Sequence, residues 1–125
     1  MQELIETGNA PAPIGPYSQA VRAGGFVFVS GQIPLDPASG AVVEGDIIAQ
    51  THQVLRNLTA ILQASGSGLE KVVKTSIFLK NLDDFARFNQ VYAEYLGDIR
   101  PARATVQVAR LPREVLVEIE AVALA

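Results

Sequence analysis

Residues 46–66, DIIAQTHQVLRNLTAILQASG, decide how the rest of the chain is read. Ile47, Thr51, Val54, Leu55, Leu58, Ile61 and Leu62 recur at helical spacing along one stripe. Asp46 is placed to cap the first turn, and Gly66 to end the helix in a left-handed conformation. A helix with a single apolar stripe has to cover another apolar layer, and the neighbouring segments predict that the layer is a sheet.

Upstream, Val21 to Ser30 reads as two short strands around Gly24-Gly25, a pair that accepts the positive φ angles of a tight hairpin. The run Phe26 to Val29 is expected to be buried on both faces. Turn chemistry follows at Asp36-Pro37 and Ser39-Gly40. Downstream, Val72 to Leu79 reads as a strand with Val73, Thr75, Ile77 and Leu79 on one side, and Lys74 and Ser76 on the other. A second helix is expected from about Asn81, with Asp83 and Asp84 at its positive end, an apolar stripe of Phe85, Phe88, Tyr92 and Leu96, and a stop at Gly97. Two strands close the chain, one from Pro101 to Val106 and one from Val117 to Val122. This order predicts one α+β domain over residues 1–125, with two helices packed on one face of a mixed β-sheet.

The bulk composition narrows the function classes. The chain has 125 residues, of which 49% are hydrophobic and 18% charged, enough for one substantial core. A net charge of -3, with the ten basic residues scattered, gives no footprint for nucleic acid. With no cysteine there is no thiol nucleophile or disulfide, and one histidine cannot build a histidine metal cluster. The first residues lack a basic segment followed by an apolar one, and no apolar run approaches membrane-spanning length, so the expectation is a cytoplasmic protein without membrane or metal.

Charges set into the two closing strands stand out against this background. Arg103 shares a strand face with Thr105 and Gln107, and Glu118 shares one with Glu120. If the loop around Pro112 joins these strands as an antiparallel hairpin, a guanidinium, a hydroxyl and two carboxylates would lie on one surface. Arg103 then has two readings: a planar fork that binds a ligand carboxylate, or a salt bridge to Glu118 or Glu120. Glu120 either holds and deprotonates a water or neutralises Arg103.

Other residues carry weaker signals. Asn89 borders the second helical stripe, where it can meet a ligand or satisfy a backbone group. Tyr17, beside the Gly15-Pro16 turn, offers an aromatic wall with a polar tip, and Ser30-Gly31 ends an apolar strand where backbone groups become accessible. No histidine lies near Ser30 in sequence to make it a nucleophile. His52 lies off the helix stripe and reads as solvated. Ser65 to Gly68 follows a helix and precedes a strand, the reverse of a phosphate loop.

Five segments taken together resemble one family: Gly15-Pro16-Tyr17-Ser18-Gln19-Ala20, Val29-Ser30-Gly31-Gln32-Ile33-Pro34, Phe88-Asn89-Gln90-Val91-Tyr92, Pro101-Ala102-Arg103, and Val117-Glu118-Ile119-Glu120-Ala121. Their order and spacing, from about Ala12 to Ala123, resemble the Rid (YjgF-like) reactive intermediate deaminases, and within them the RidA subgroup. The resemblance implies a chorismate-mutase-like α+β fold assembled as a homotrimeric barrel with ligand clefts between subunits. It implies cofactor-free hydrolysis of enamines and imines, 2-aminoacrylate/2-iminopropanoate and 2-iminobutanoate, to 2-keto acids and ammonia, downstream of pyridoxal-phosphate-dependent dehydratases. Arg103 matches the family's carboxylate clamp and Glu120 the glutamate associated with the hydrolytic water. Tyr17, Ser30, Gly31, Asn89 and Thr105 match cleft-lining positions. Thr105 stands where some members carry cysteine, which excludes thiol chemistry here.

The same arginine clamp would serve a non-catalytic trimer that senses 2-keto acids or related metabolites, and turnover of freshly generated imine separates the two readings. A ribonuclease reading, attached by name to some relatives, finds neither a basic groove nor an aromatic platform in this acidic chain.

Overall fold

The computed structural model describes residues 2–125 and forms one six-stranded sheet with helices on one side. The strands are β1 (Glu3–Ile5), β2 (Ala20–Ala23), β3 (Phe26–Gln32), β4 (Val72–Leu79), β5 (Ala102–Gln107) and β6 (Val117–Leu124). The helices are α1 (Ile47–Ala64) and α2 (Phe85–Leu96). Sheet order is β1-β2-β3-β6-β4-β5; β4 and β5 run parallel and every other pair antiparallel.

α1 forms where its caps and stripe predict. Asp46 accepts hydrogen bonds from the Ile48 and Ala49 amides, filling two of the donors a helix start leaves open. Gly66 takes φ +81, its N–H bonds Gln63 O, and Ser67 N–H returns to Leu62 O, closing the last turn as a Schellman cap. The stripe residues Ile47, Val54, Leu55, Leu58, Ile61 and Leu62 are fully buried. They pack in one core with Val117, Ile119, Ala121 and Ala123 of β6 and Phe88, Tyr92 and Leu96 of α2.

The expected hairpin between the closing strands does not form. β4 lies between β5 and β6, because α2 carries the chain back over the sheet and returns it parallel to β4, as a crossover connection must. β6 takes a central position instead, consistent with its alternate residues Val117 to Ala123 being at most 4% exposed. The pairings also settle the faces. Arg103 lies opposite Thr75 on the helix side, whereas Glu120 lies opposite Ser76 and Glu118 opposite Phe78 on the far side. The arginine and the two glutamates therefore occupy opposite faces of one sheet.

Four local expectations are also corrected. Phe26 and Phe28 are 39% and 48% exposed, since β3 alternates and none of the described residues covers its second face. Val73 leaves the buried side because a bulge between Val72 and Lys74 shifts the register against β6. The second helix is preceded by a 3₁₀ turn at Leu82–Asp84, capped by Asn81, so it begins at Phe85 rather than near Asn81; it ends at Leu96 with Gly97 as its cap, as expected, and the left-handed residue beyond it is Arg100. His52 is half-buried rather than solvated: its Nδ1 lies 3.0 Å from the Tyr95 hydroxyl, joining α1 to α2.

Candidate functional site

β5 is one of the two edge strands, and α2 packs over the face on which Arg103 lies. Arg103 Nη1 donates to Asn89 Oδ1 at 2.7 Å. Its guanidinium carbon lies 4.9 Å from the centre of the Tyr92 ring and 5.4 Å from that of Phe85. Two aromatic faces and one amide oxygen thus steady a cation that has no ion-pair partner among the described residues. The salt bridge to Glu118 or Glu120 is absent, so the fork keeps its charge and most of its donors for a ligand. Tyr92 is itself fixed: its hydroxyl lies 2.7 Å from Thr75 Oγ1, and burial pushes its ionisation upward against the opposing pull of that bond and of Arg103. Arg103, Asn89 and Tyr92 line a cavity of about 470 Å³ with Arg100 and Pro101. Thr105 shares Arg103's strand face, and its Oγ1 is shut off from solvent without a hydrogen-bond partner among the described residues.

Glu120 lies elsewhere. With Lys74, Ser76 and Phe28 it lines a cavity of about 200 Å³ on the open face. Glu118, two residues away on the same face, is half-buried, and burial followed by the neighbouring Glu120 charge raises its carboxyl above the usual range. Its carboxyl group rests against Gly31, where a β-carbon would sit 2.0 Å from Oε2. Gly31 is thus needed for this close approach rather than for backbone freedom.

Tyr17 and Gly31 line a third cavity, of about 340 Å³, with Ile14, Ile33, Pro112 and Arg113. Tyr17 is 53% exposed, and its hydroxyl accepts a 3.4 Å bond from the Ile14 amide. Ser30 differs from the expectation: its hydroxyl donates to Ser18 O at 2.6 Å and its N–H to Gln19 O, tying β3 to the segment that carries Tyr17.

One chain therefore brings Arg103 and Asn89 together, and Tyr17 with Gly31; Thr105 shares the strand face of Arg103 without lining its cavity, and Glu120 lies in a separate cleft across the sheet. Sequence reasoning assigned Phe85 and Tyr92 to the helical core and missed that they form the arginine's platform. Their shared position on the apolar stripe, facing the strand that carries Arg103, was the available signal. Lys74 and Ser76 were placed on the correct strand side but not beside Glu120, which required knowing that β4 pairs with β6.

The chain is thus a small two-layer α+β domain with an open cleft, built on an arginine that no described carboxylate neutralises, between a helix and an edge strand. The family model described as endoribonuclease L-PSP matches residues 7–125, and the chain belongs to that family, which includes proteins named Rid and YjgF. A RutC family protein of Pyrococcus horikoshii is 58% identical over 123 residues, 98% of each chain. Among solved structures, RidA from an Antarctic Psychrobacter superposes with a TM-score of 0.94 at 45% identity, covering 98% of this chain and 99% of that one. E. coli TdcF with bound serine gives 0.93 at 42%, covering 98% of each.

Proposed function

We propose that this protein hydrolyses reactive enamine and imine intermediates, 2-aminoacrylate/2-iminopropanoate and 2-iminobutanoate, to 2-keto acids and ammonia, as its RidA-like segments imply. The observation that carries the reading is Arg103: a strand arginine held by Asn89, Tyr92 and Phe85 and by no carboxylate. A fork held in place but not neutralised suits a substrate carboxylate. An iminium carbon beside that carboxylate is already electrophilic, so orientation and one activated water suffice. Glu120 takes a proton from the water as the C–O bond forms. That proton passes to the nitrogen; the C–N bond then breaks as Glu120 takes the remaining hydroxyl proton, the carbonyl forms, and the departing ammonia carries that proton away as ammonium. Iminium and water become ketone and ammonium with no net proton change.

Because Arg103 and Glu120 lie on opposite faces, a site using both needs two copies of the chain. A homotrimer with clefts between subunits meets that need. The open sheet face supports it: Phe26, Phe28, Val106 and Leu124, each 39% to 48% exposed, flank Glu120 on the side away from the helices. The proposal places the protein in the cytoplasm, beside the pyridoxal-phosphate-dependent dehydratases that release the substrate. Among the described residues, no helix is long and apolar enough to cross a membrane.

The test couples the protein to a serine or threonine dehydratase and follows imine decay. A shortened lifetime, unaffected by chelator, supports hydrolysis; an unchanged lifetime contradicts it. A metabolite sensor is the second reading, favoured by the completeness of the Arg103–Asn89 cleft in one chain without Glu120. It predicts 2-keto acid binding with no effect on imine decay.

A further inference from the structure

Arg100 has a backbone that its residue type does not favour. After α2 ends at Leu96, Gly97 keeps an ordinary helical φ of −61, and Arg100 takes φ 55, its N–H returning to Leu96 O at 3.1 Å. A glycine or asparagine fits this left-handed position more easily than a side chain with a full β-carbon stem. An arginine here needs a reason other than ending the helix.

The left-handed turn changes which surface the arginine meets. Residues three apart on a straight strand point to opposite faces, so a regular extension of β5 would separate Arg100 from Arg103. With the turn at Arg100 followed by Pro101, both arginines line the same cavity of about 470 Å³. Among the described residues no carboxylate lines it, and Asp98, close by in sequence, does not. Among the described residues neither arginine has an ion-pair partner, and Arg103 is held by neutral groups alone. A monocarboxylate would neutralise one guanidinium and leave the other without a counter-charge in the same cavity. A short dicarboxylate would satisfy both.

We infer that Arg100 is a specificity residue that makes this cleft a dianion site, so that the proposed hydrolysis favours 2-imino acids whose side chain ends in a carboxylate. The inference rests on the imine-hydrolysis reading for its reaction but not for its ligand class. Arg103 holds the α-carboxylate, Arg100 holds the distal one from the exposed rim, and the bond changes at the imine carbon are those already described. The product is a 2-oxo dicarboxylate and ammonium.

Arg100→Gly tests this without threatening the fold, because glycine adopts φ 55 freely; its melting temperature should equal or exceed that of the parent. Two readouts are taken on both proteins. The first is the ratio of kcat/KM for 2-iminosuccinate, generated by oxidation of aspartate, to that for 2-iminopropanoate. The second is the affinity for succinate relative to propanoate by calorimetry. The parent should favour the dicarboxylate in both, and Arg100→Gly should lower each ratio by about tenfold, the loss of one charge-assisted contact. Unchanged ratios, or a parent that does not favour the dicarboxylate, overturn the inference. If neither imine turns over, the hydrolysis reading fails and the succinate ratio alone decides the dianion site.

Discussion

The guanidinium of Arg103 lies 4.9 Å from the centre of the Tyr92 ring, and the Tyr92 hydroxyl is tied to Thr75 in the strand beside it. The platform is thus anchored to the sheet that it helps the arginine to reach across. Removing the ring and removing the hydroxyl should have separable effects. Tyr92→Leu forfeits a cation–π contact of about 0.5–1 kcal/mol and should raise KM for the imine a few-fold with a smaller change in kcat. Tyr92→Phe keeps the platform and KM but leaves Thr75 Oγ1 unpaired in the core, costing about 1–3 kcal/mol in denaturant unfolding. If Tyr92→Phe and Tyr92→Leu raise KM alike, the ring is not what steadies Arg103.

Asn89 gives a sharper contrast between size and charge. Its Oδ1 accepts from Arg103 Nη1 at 2.7 Å without cancelling the charge. Asn89→Asp keeps the acceptor and adds a carboxylate that competes with the substrate's own, so it should weaken binding of a carboxylate ligand more than Asn89→Ala does. Calorimetric titration with a 2-keto acid measures both. The reverse order would mean that the arginine's charge is not what the cleft uses.

Glu118 should leave a mark on the pH dependence of stability. Its folded pKa is raised by burial and then by Glu120, so over the window from the unfolded value up to the folded one the native state holds the extra proton. The native state binds more protons there, so this group's contribution falls as pH rises through the window and its penalty is complete above the folded pKa. Glu118→Gln should therefore be more stable than the parent at neutral pH, with the advantage shrinking as pH falls towards the unfolded value of 4.5. Denaturant unfolding across that range checks it; an advantage that grows on acidification contradicts the assignment.

The elements that were legible in the sequence are those whose signals are local. α1 carries its stripe, its Asp46 cap and its Gly66 stop within one continuous segment, and β2 and β3 are joined by their own glycine turn. The partner of β5 was not legible, because a loop around Pro112 is compatible with either a hairpin or a longer path, and the crossover through α2 decides between them. The exposure of Phe26 and Phe28 was hidden for a related reason: an aromatic run looks the same whether its own chain or another one covers it. Val73 depended on a bulge that no residue type announces. In the site, Arg103, Asn89 and Glu120 were recognisable as chemistry-bearing residues. Their division between two sheet faces was not, since face parity follows from strand order.

That division makes a prediction about subunits. If each catalytic cleft takes Arg103 from one copy and Glu120 from another, Arg103→Ala and Glu120→Gln should each be inactive alone. Unfolding the two together and refolding them should restore activity, to about a quarter of clefts for random mixing in a closed ring. Absence of rescue in verified mixed oligomers would mean that the two residues do not act across a shared interface.

The central claim is that the fork of Arg103, steadied by Asn89, Tyr92 and Phe85, binds the substrate carboxylate during imine hydrolysis. Arg103→Lys tests it most directly, because it keeps the positive charge and replaces a rigid pair of parallel donors with a flexible point charge. Turnover of 2-iminopropanoate and the melting temperature are measured on one preparation. The account predicts that kcat/KM falls by about tenfold or more while the protein stays folded, since Arg103 is exposed and bridges to no carboxylate. A folded Arg103→Lys protein with the parent's kinetics would contradict it and remove the carboxylate clamp.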